Sequence, residues 1–261
     1  MNDNLFAQLQ AMSTLTEETT IGTLRKQLNE IVEFFKGRET YLEEVTIMAE
    51  QVRKLEVKTL LDADSFMVQD DFLLPQLPEE LQHDSLGFCK GNILVFRGRY
   101  VYPVKDVHGD VMGFCGYDKF SEVKYLDSVN FGYKAKSYTL WGMEKLPEYY
   151  RNDKPVYFVE GIVCALYLRQ EGLQSLAYLG SSLSPYVCEI IKRFGNRAIL
   201  VTDSDEAGTK TRKSARYRIP TLRVIQSTIA KDVDDSRQEN ADFYKELEKL
   251  KNPFCASAMF K

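Results

Sequence analysis

The chain has 261 residues, 44% of them hydrophobic and 28% charged, with a formal net charge of −4. These values are ordinary for a globular protein that is long enough to bury a core, and the charge argues against a general polyanion binder. The sequence has neither an apolar run of the roughly 20 residues needed to span a bilayer nor a signal-peptide pattern at its start, so we expect a cytoplasmic protein without a membrane partner.

Cysteine and histidine are too few and too scattered to form a zinc site. The five cysteines include no CxxC pair, and the sequence has only two histidines. We therefore expect reduced, mostly buried thiols and no bound zinc. The scarcity of histidine also nearly excludes histidine-based catalysis.

Charge is distributed unevenly along the chain. Residues 1–50 contain nine acidic and four basic residues, whereas residues 207–223 contain six basic residues and no acidic one. This asymmetry indicates one basic face on an acidic protein. An equally good interpretation is that the basic residues only solvate the outer face of a helix.

Residues 14–62 are predicted to be helical. Apolar side chains recur every three or four positions, and Thr14 and Glu17 have the spacing of a capping box. These helices form either a packing layer or an element that docks a partner. Residues 70–82 contain two prolines and are predicted to be a connector.

Residues 86–140 are predicted to contain short strands. The segments NILVF, YVYPV and DVMGFCGY are apolar or alternate, and His108-Gly109-Asp110 is typical of a hairpin turn between the last two. This part of the chain is therefore strand-rich.

From residue 155 onward, apolar strands alternate with helix-like segments. Val156–Val159 is typical of a strand buried on both faces, and SLAYLG, AILVT and TLRVI are predicted to be further strands. Helices are predicted in GIVCALYLRQEG, from about Ser184 to Phe194, after Gly208, and from Gln238 to Leu250. The alternation predicts an α/β fold (α+β overall) with a parallel sheet flanked by helices.

Acidic residues follow three of these strands. Glu160 ends the first strand, Asp203 and Asp205 end the third, and Asp232 and Asp234 follow the fourth. The carboxyl ends of parallel strands meet at one edge, where function gathers. If the segment is extended, a spacing of two places Asp203 and Asp205 on one face.

Each of these acids alone is more often a helix cap, a turn residue or part of a solvated loop. Together they predict a cation site, because crowded carboxylates repel and Mg²⁺ prefers carboxylate oxygen. Five carboxylates leave room for two Mg²⁺ or Mn²⁺ ions, which suits phosphoryl transfer on nucleic acid.

The ordered motifs resemble a known family. VYFVEG, YLGSS, ILVTDSDEAG and KDVD resemble a Toprim domain. Upstream, YVYPVKDVHGDVMGFCGY, KYLDS and KAKSYTLWG resemble elements of the DnaG-type primase catalytic core, as found in bacteria and bacteriophages. The resemblance covers about residues 86–236.

The resemblance implies roles for individual residues. Glu160, Asp203 and Asp205 would be catalytic and metal-coordinating, and Asp232 and Asp234 would also coordinate metal. Nucleic-acid or nucleotide binding is implied for Arg97, Arg99, Lys124, Tyr125, Ser128, Lys136, Gly180, Ser181 and Ser182.

The resemblance also implies an organisation and an activity. The expected divisions are an N-terminal helical region with a connector (1–85), a strand-rich nucleic-acid-binding subdomain (86–150), a Toprim subdomain (151–236) and a C-terminal helix and tail (237–261). The implied activity is synthesis of RNA primers from nucleoside triphosphates on single-stranded DNA during replication. Implied partners are a replicative helicase or a separate template-recognition subunit.

Three positions depart from the family pattern. Cys164 replaces an aspartate that many members have four residues after the glutamate, Asp127 replaces an asparagine, and Tyr117 replaces an arginine. Two alternatives therefore stay open: a Toprim nuclease, and a catalytically weakened primase-like module that binds nucleic acid or regulates.

Overall fold

A computed structural model describes residues 16–53, 55–118, 120–128, 139–180 and 182–226. Its helices are α1 (Thr16–Lys36), α2 (Tyr41–Ile47), α3 (Val57–Leu61), α4 (Leu146–Tyr150), α5 (Ile162–Gln170), α6 (Pro185–Phe194) and α7 (Glu206–Arg218). Its strands are β1 (Phe66–Val68), β2 (Cys89–Lys90), β3 (Ile93–Leu94), β4 (Arg99–Lys105), β5 (Val111–Tyr117), β6 (Tyr125–Asp127), β7 (Val156–Val159), β8 (Gln174–Ala177), β9 (Ala198–Thr202) and β10 (Arg223–Gln226).

The predicted N-terminal helices are present. Helix α1 buries Leu28, Ile31, Val32 and Phe35, whose spacing places them on one face. Helix α2 continues into a π-helical turn, Met48–Arg53. The predicted capping residue Thr14 and the predicted helix over 238–250 lie outside the described residues. None of the described helices is long and apolar enough to cross a bilayer.

The strand-rich region forms an antiparallel sheet in the order β1-β4-β5-β6. The predicted hairpin joins β4 to β5, and its turn is held by the Asp106 carboxylate, which accepts hydrogen bonds from the backbone N–H groups of His108 and Asp110. Strand β1 lies between the predicted helices and the predicted connector, within the division 1–85, for which we expected no strand. The strand-rich unit therefore draws on residues before position 86.

The predicted parallel sheet is confirmed, in the order β8-β7-β9-β10. Strand β7 is buried throughout because helices and the other sheet cover both of its faces. Helix α6 begins where the sequence predicts, because the Ser184 hydroxyl accepts a hydrogen bond from the Val187 N–H. Helix α7 begins at Glu206, slightly before the predicted start.

One hydrophobic core joins the two sheets. It contains Tyr102 and Cys115 from the antiparallel sheet and Tyr157 and Ile199 from the parallel sheet, with the side chains of α5 between them. A second core lies between the parallel sheet and the outer helices α6 and α7. The third core joins α1 to the other face of the antiparallel sheet. Because the first core is shared, the two sheets pack as one body.

An ion-pair cluster connects α1 to the antiparallel sheet. Asp64 has a left-handed backbone (φ 50°) and its carboxylate pairs with the ammonium groups of Lys36, at 2.6 Å, and Lys105. Burial raises the pKa of the Asp64 carboxyl, but the hydrogen bonds and charges of Lys105 and Lys36 outweigh burial and hold that pKa below its ordinary value. The cluster therefore stabilises the fold only while Asp64 is ionised.

We predict that Asp64→Asn, which tolerates the same backbone conformation, lowers the free energy of unfolding at pH 7 by roughly 1–3 kcal/mol. Because the folded-state pKa of Asp64 is lowered, its contribution is full above the unfolded-state pKa of about 4 and disappears as the pH falls below it. Urea unfolding of both proteins at several pH values checks this. A stability difference that does not shrink at low pH would contradict it.

Candidate metal and nucleic-acid site

Two acidic residues lie side by side at the carboxyl edge of the parallel sheet. Strands β7 and β9 are neighbours, and Phe158 is in register with Leu200. Two residues beyond this pair, Glu160 directly follows β7 and lies level with Thr202, the last residue of β9. Asp203 is the next residue after Thr202. Both acids are half-buried. The sheet topology thus brings together residues 43 positions apart in sequence, that is 203 − 160.

Asp205 reaches the same edge through a helix rather than through an extended strand. Its Oδ1 accepts a hydrogen bond from the Gly208 N–H at 2.8 Å, so Asp205 is the N-cap of α7. The expectation that Asp203 and Asp205 share a face of an extended segment was therefore wrong in its geometry, because the chain bends at residues 204–205. Asp205 thus supports the start of the helix while it lies at the same edge as Asp203.

The backbone of Asp203 is held tightly by the start of α7. A Cβ atom added to Gly208 would lie 2.1 Å from the Asp203 carbonyl oxygen, so this position requires glycine. The side-chain amide of Gln226, at the end of β10, donates a hydrogen bond to the same carbonyl oxygen at 3.2 Å. These contacts fix where the Asp203 side chain leaves the sheet.

The loop after β8 is tied to the backbone around Glu160. The N–H of Tyr178 donates to the Val159 carbonyl at 2.9 Å, and the N–H of Leu179 donates to the Glu160 carbonyl at 3.1 Å. Leu179 has a left-handed backbone (φ 53°), which is costly for a side chain of this kind. This strained turn leads into Gly180, which is half-buried, and Ser182, which is exposed. Ser181 lies outside the described residues.

The charges of the acidic residues converge on the side chain of Tyr178. Burial, then Glu160 and Asp203, and then Cys164 and Asp205 raise the pKa of the Tyr178 hydroxyl well above its ordinary value. The Tyr178 side chain is buried, and its hydroxyl makes no hydrogen bond within the described part of the chain. A buried polar group of this kind costs roughly 1–3 kcal/mol.

These residues fit a divalent cation with few direct protein ligands. Across the described ranges, no group of three or more His, Cys, Asp and Glu side chains is arranged to hold a metal ion. Mg²⁺ usually takes one or two carboxylates and completes its shell with water and substrate phosphate. The adjacent carboxylates and the hydroxyl that lacks a hydrogen bond suit such an ion. Asp232 and Asp234 lie outside the described residues.

A loop that carries Lys124 projects from the antiparallel sheet and is held by a buried arginine. The Arg99 guanidinium donates to the carbonyls of Val123 and Lys124, at 2.9 and 3.2 Å, and to the Ser121 hydroxyl at 3.1 Å. Arg99 is only 9% exposed. It supports the loop in this structure, whereas the Lys124 side chain is exposed.

The other predicted nucleic-acid-binding residues of this subdomain have different surroundings. Arg97 is exposed and pairs with Asp71 at 3.0 Å. Tyr125 is exposed and packs on Tyr117, with ring centroids 4.9 Å apart. Ser128 is buried, and its hydroxyl accepts a hydrogen bond from the Phe114 N–H, which indicates a structural role. Lys136 lies outside the described residues.

The basic segment forms the outer face of α7, as the sequence predicts. Lys210 pairs with Glu206 at 2.7 Å, and Arg218 donates to the Leu183 carbonyl at 3.0 Å. Tyr217 on this face is 89% exposed. Arg223, on β10, donates to the Asn196 carbonyl at 3.4 Å. Three of the six basic side chains of the segment are thus engaged within the protein.

Comparison with known proteins finds one matching family model and several relatives of similar sequence. Residues 157–237 match a family model described as Toprim-like. The chain is 30% identical to the DNA primase of Listeria innocua over 167 residues, which are 59% of this chain and 26% of that protein. It is 32% identical to the DNA primase of Aquifex aeolicus over 124 residues, which are 46% of this chain and 25% of that protein.

Solved structures show the same fold. A DnaG primase catalytic domain bound to single-stranded DNA matches with a TM-score of 0.71 and 20% identity, over 88% of this chain and 81% of that chain. The zinc-binding and RNA polymerase domains of the Aquifex aeolicus primase match with a TM-score of 0.70 and 24% identity, over 88% of this chain and 60% of that chain.

The match over residues 157–237 agrees with the parallel sheet and helices that the structure describes up to residue 226. With the antiparallel sheet that precedes this parallel sheet, the chain has the fold of the DnaG-type primase catalytic core. The chain spans about a quarter of the length of the curated primases it matches.

We predict that Gly208→Ala lowers the free energy of unfolding by roughly 1–3 kcal/mol, because the added methyl group collides with the Asp203 backbone. In an exposed helix the same change stabilises by about 0.5–1 kcal/mol. Gly22→Ala in α1, where the methyl group would meet nothing within 4 Å, is the matched control. Urea unfolding of both variants should therefore show changes of opposite sign, and changes of the same sign would contradict this account.

We predict that Arg99→Met destabilises the protein by roughly 1–3 kcal/mol, because three hydrogen bonds from a charged donor are lost. It should also speed proteolytic cleavage in the loop over 118–124. Arg97→Met removes only an exposed ion pair and should change stability by less than about 0.5 kcal/mol. Equal effects of the two variants in urea unfolding would refute the supporting role of Arg99.

Proposed function

We propose that this chain is the catalytic part of a DNA primase, which makes RNA primers from nucleoside triphosphates on single-stranded DNA. The observation that carries the proposal is the pairing of two features in one body: an acidic edge formed by Glu160, Asp203 and Asp205, and a lysine-bearing loop on the adjoining antiparallel sheet. The primase relatives and the likeness to the catalytic core of DnaG support it.

Glu160, Asp203 and Asp205 would hold a divalent cation at the carboxyl edge of the parallel sheet. Asp232 and Asp234 would hold a second ion or the ion that accompanies the triphosphate. Bound Mg²⁺ or Mn²⁺ supplies charge neutralisation at the α-phosphate and lowers the pKa of the attacking 3′ hydroxyl. The protein contributes mainly positioning, because phosphoryl transfer asks little covalent chemistry of side chains.

Lys124 and Lys136 would bind phosphates of the template or of the incoming nucleotide. The backbone N–H groups of Gly180, Ser181 and Ser182 would face phosphate beside the metal. Arg97 and Tyr125 are exposed and would contact nucleic acid directly, whereas Arg99 and Ser128 would act by holding the loop and the sheet. Binding through lysines would weaken as salt concentration rises.

Template recognition and helicase coupling would come from a partner. We propose a replicative helicase or a separate template-recognition subunit, and the acidic N-terminal helices α1 and α2 are the candidates for docking such a subunit. Glu43 and Leu42 of α2 are exposed, and Leu42 is 58% exposed.

We predict that Asp203→Asn lowers Mg²⁺-dependent primer synthesis about 100-fold or more, because it removes a charge at the cation without changing side-chain size. Asp153→Asn is the matched control: this exposed aspartate precedes β7, at the opposite edge of the sheet, and the variant should keep wild-type activity. The assay measures extension on single-stranded DNA of mixed sequence with all four ribonucleotides.

Three results would overturn the proposal. Wild-type activity in Asp203→Asn would exclude the acidic edge as the catalytic site. Cleavage of labelled single-stranded DNA without ribonucleotides would indicate a Toprim nuclease instead. DNA binding without either reaction, in the presence of Mg²⁺ or Mn²⁺, would indicate a non-catalytic primase-like module.

A further inference from the structure

The buried hydroxyl of Tyr178 lies beside the acidic edge and has no hydrogen-bond partner among the described residues. Tyr178 is 2% exposed, and within the described ranges its hydroxyl has no hydrogen-bond partner. Buried tyrosine hydroxyls usually find one. The residue directly follows β8, at the carboxyl edge that also carries Glu160 and Asp203.

The surroundings of this hydroxyl are acidic. Glu160, Asp203 and Asp205 all act electrostatically on it, and so does the thiol of Cys164, which is 9% exposed. The three carboxylates carry like charges and therefore repel one another. The buried phenol can donate one hydrogen bond through its O–H group and can accept hydrogen bonds through its oxygen. A hydrated cation among these carboxylates would satisfy both the charges and the hydroxyl.

The main chain holds Tyr178 in this place from both sides. Its own N–H donates to Val159, and that of Leu179 donates to Glu160. The preceding residue, Ala177, exchanges two backbone hydrogen bonds with Trp141, at 2.8 and 3.1 Å. The ring packs against the core under α6. The hydroxyl is therefore fixed by the same strand ends that fix Glu160.

Tyr157 provides a comparison within the same sheet. It is 1% exposed, and its hydroxyl also has no hydrogen-bond partner among the described residues. Its side chain belongs to the core shared by the two sheets, whereas that of Tyr178 belongs to the core under α6. Burial raises the pKa of Tyr157 to about 12, and the charge that acts on it from the described residues is that of the cation Arg223. A buried hydroxyl without a partner is thus not sufficient to indicate a cation site. Tyr178 differs from Tyr157 because its surroundings are acidic.

We propose that Tyr178 is a positioning residue of the cation site, whose hydroxyl hydrogen-bonds the hydration shell of the bound ion. This inference rests on the proposed function, since it assumes that the acidic edge binds a cation. Tyr178 would orient the water and carboxylate groups around the ion, as outer-shell partners do in other metal sites. It touches neither the nucleotide nor the reacting atoms.

The test compares Tyr178→Phe, Tyr157→Phe and the wild-type chain, with Mn²⁺ or Mg²⁺ alone as the probe. We expect calorimetry to show that Tyr178→Phe binds the ion about 10-fold or more weakly, and that Tyr157→Phe binds it as the wild type does. Without metal, the Tm of Tyr178→Phe should equal or exceed that of the wild type, because an unsatisfied hydroxyl has been removed. Adding metal should raise the Tm of Tyr178→Phe less than it raises the Tm of the wild type, and it should raise the Tm of Tyr157→Phe as much as that of the wild type.

A spectroscopic signature separates this role from simple packing. Titration with metal should perturb the near-ultraviolet absorbance of tyrosine in the wild type and in Tyr157→Phe, and the perturbation should be lost in Tyr178→Phe. Unchanged metal affinity in Tyr178→Phe would overturn the inference and leave the proposed function standing. Absence of metal binding in the wild-type chain would overturn both.

Discussion

Helix α5 is buried along almost its whole length, and the position of the acidic edge depends on that burial. All residues from Ile162 to Leu168 are buried. One side of the helix packs on β7 and β8, and the other meets α3 and the antiparallel sheet. A helix that is apolar all round has to lie inside a protein. Because α5 begins directly after Glu160 and Gly161, its packing sets where the first acid leaves the sheet.

The acidic edge shows a conflict between folding and function. The charges of Glu160, Asp203 and Asp205 act on Tyr178, Leu179 has a strained backbone, and the Tyr178 hydroxyl has no hydrogen-bond partner within the described residues. Strain and unsatisfied groups of this kind persist only where the surroundings enforce them, and they gather at functional sites. Here the enforcing contacts are the Gly208–Asp203 approach, the Gln226 hydrogen bond and the Asp205 cap. The same contacts that make α7 start abruptly therefore hold two of the acids in place.

Much of the fold follows from the sequence because its signals are local. Val156–Val159 is a strand on composition alone, and Ser184 marks the start of α6 by its capping chemistry. The acidic edge was predicted in a similar way, because the acidic residues directly follow strands that the sequence itself indicates. The domain boundaries and the roles of single residues at the site stay predictions.

What the sequence did not reveal depends on contacts between distant segments. Strand β1 has three residues and exists because it pairs with β4, so its own sequence carries little signal. The family resemblance implied that Arg99 binds nucleic acid or nucleotide. Only the position of the 121–124 loop shows that the Arg99 side chain supports this loop. Tyr178 looked like an ordinary core aromatic until the placement of Glu160 and Asp203 was known. Gly208, in contrast, stands in a motif and could have been recognised as a close-approach glycine.

Strand β8 is an outermost strand of the parallel sheet, and its backbone determines whether two copies of the chain could associate there. An edge strand normally presents unpaired backbone groups on which another chain can add a strand. Here the outward-facing groups of Ala177 bond to Trp141, and the Ser175 carbonyl accepts hydrogen bonds from Arg169, whose guanidinium stacks on the Trp141 ring at 4.4 Å. Because these groups are engaged, the described part of β8 is a poor template on which a second copy of the chain could add a strand.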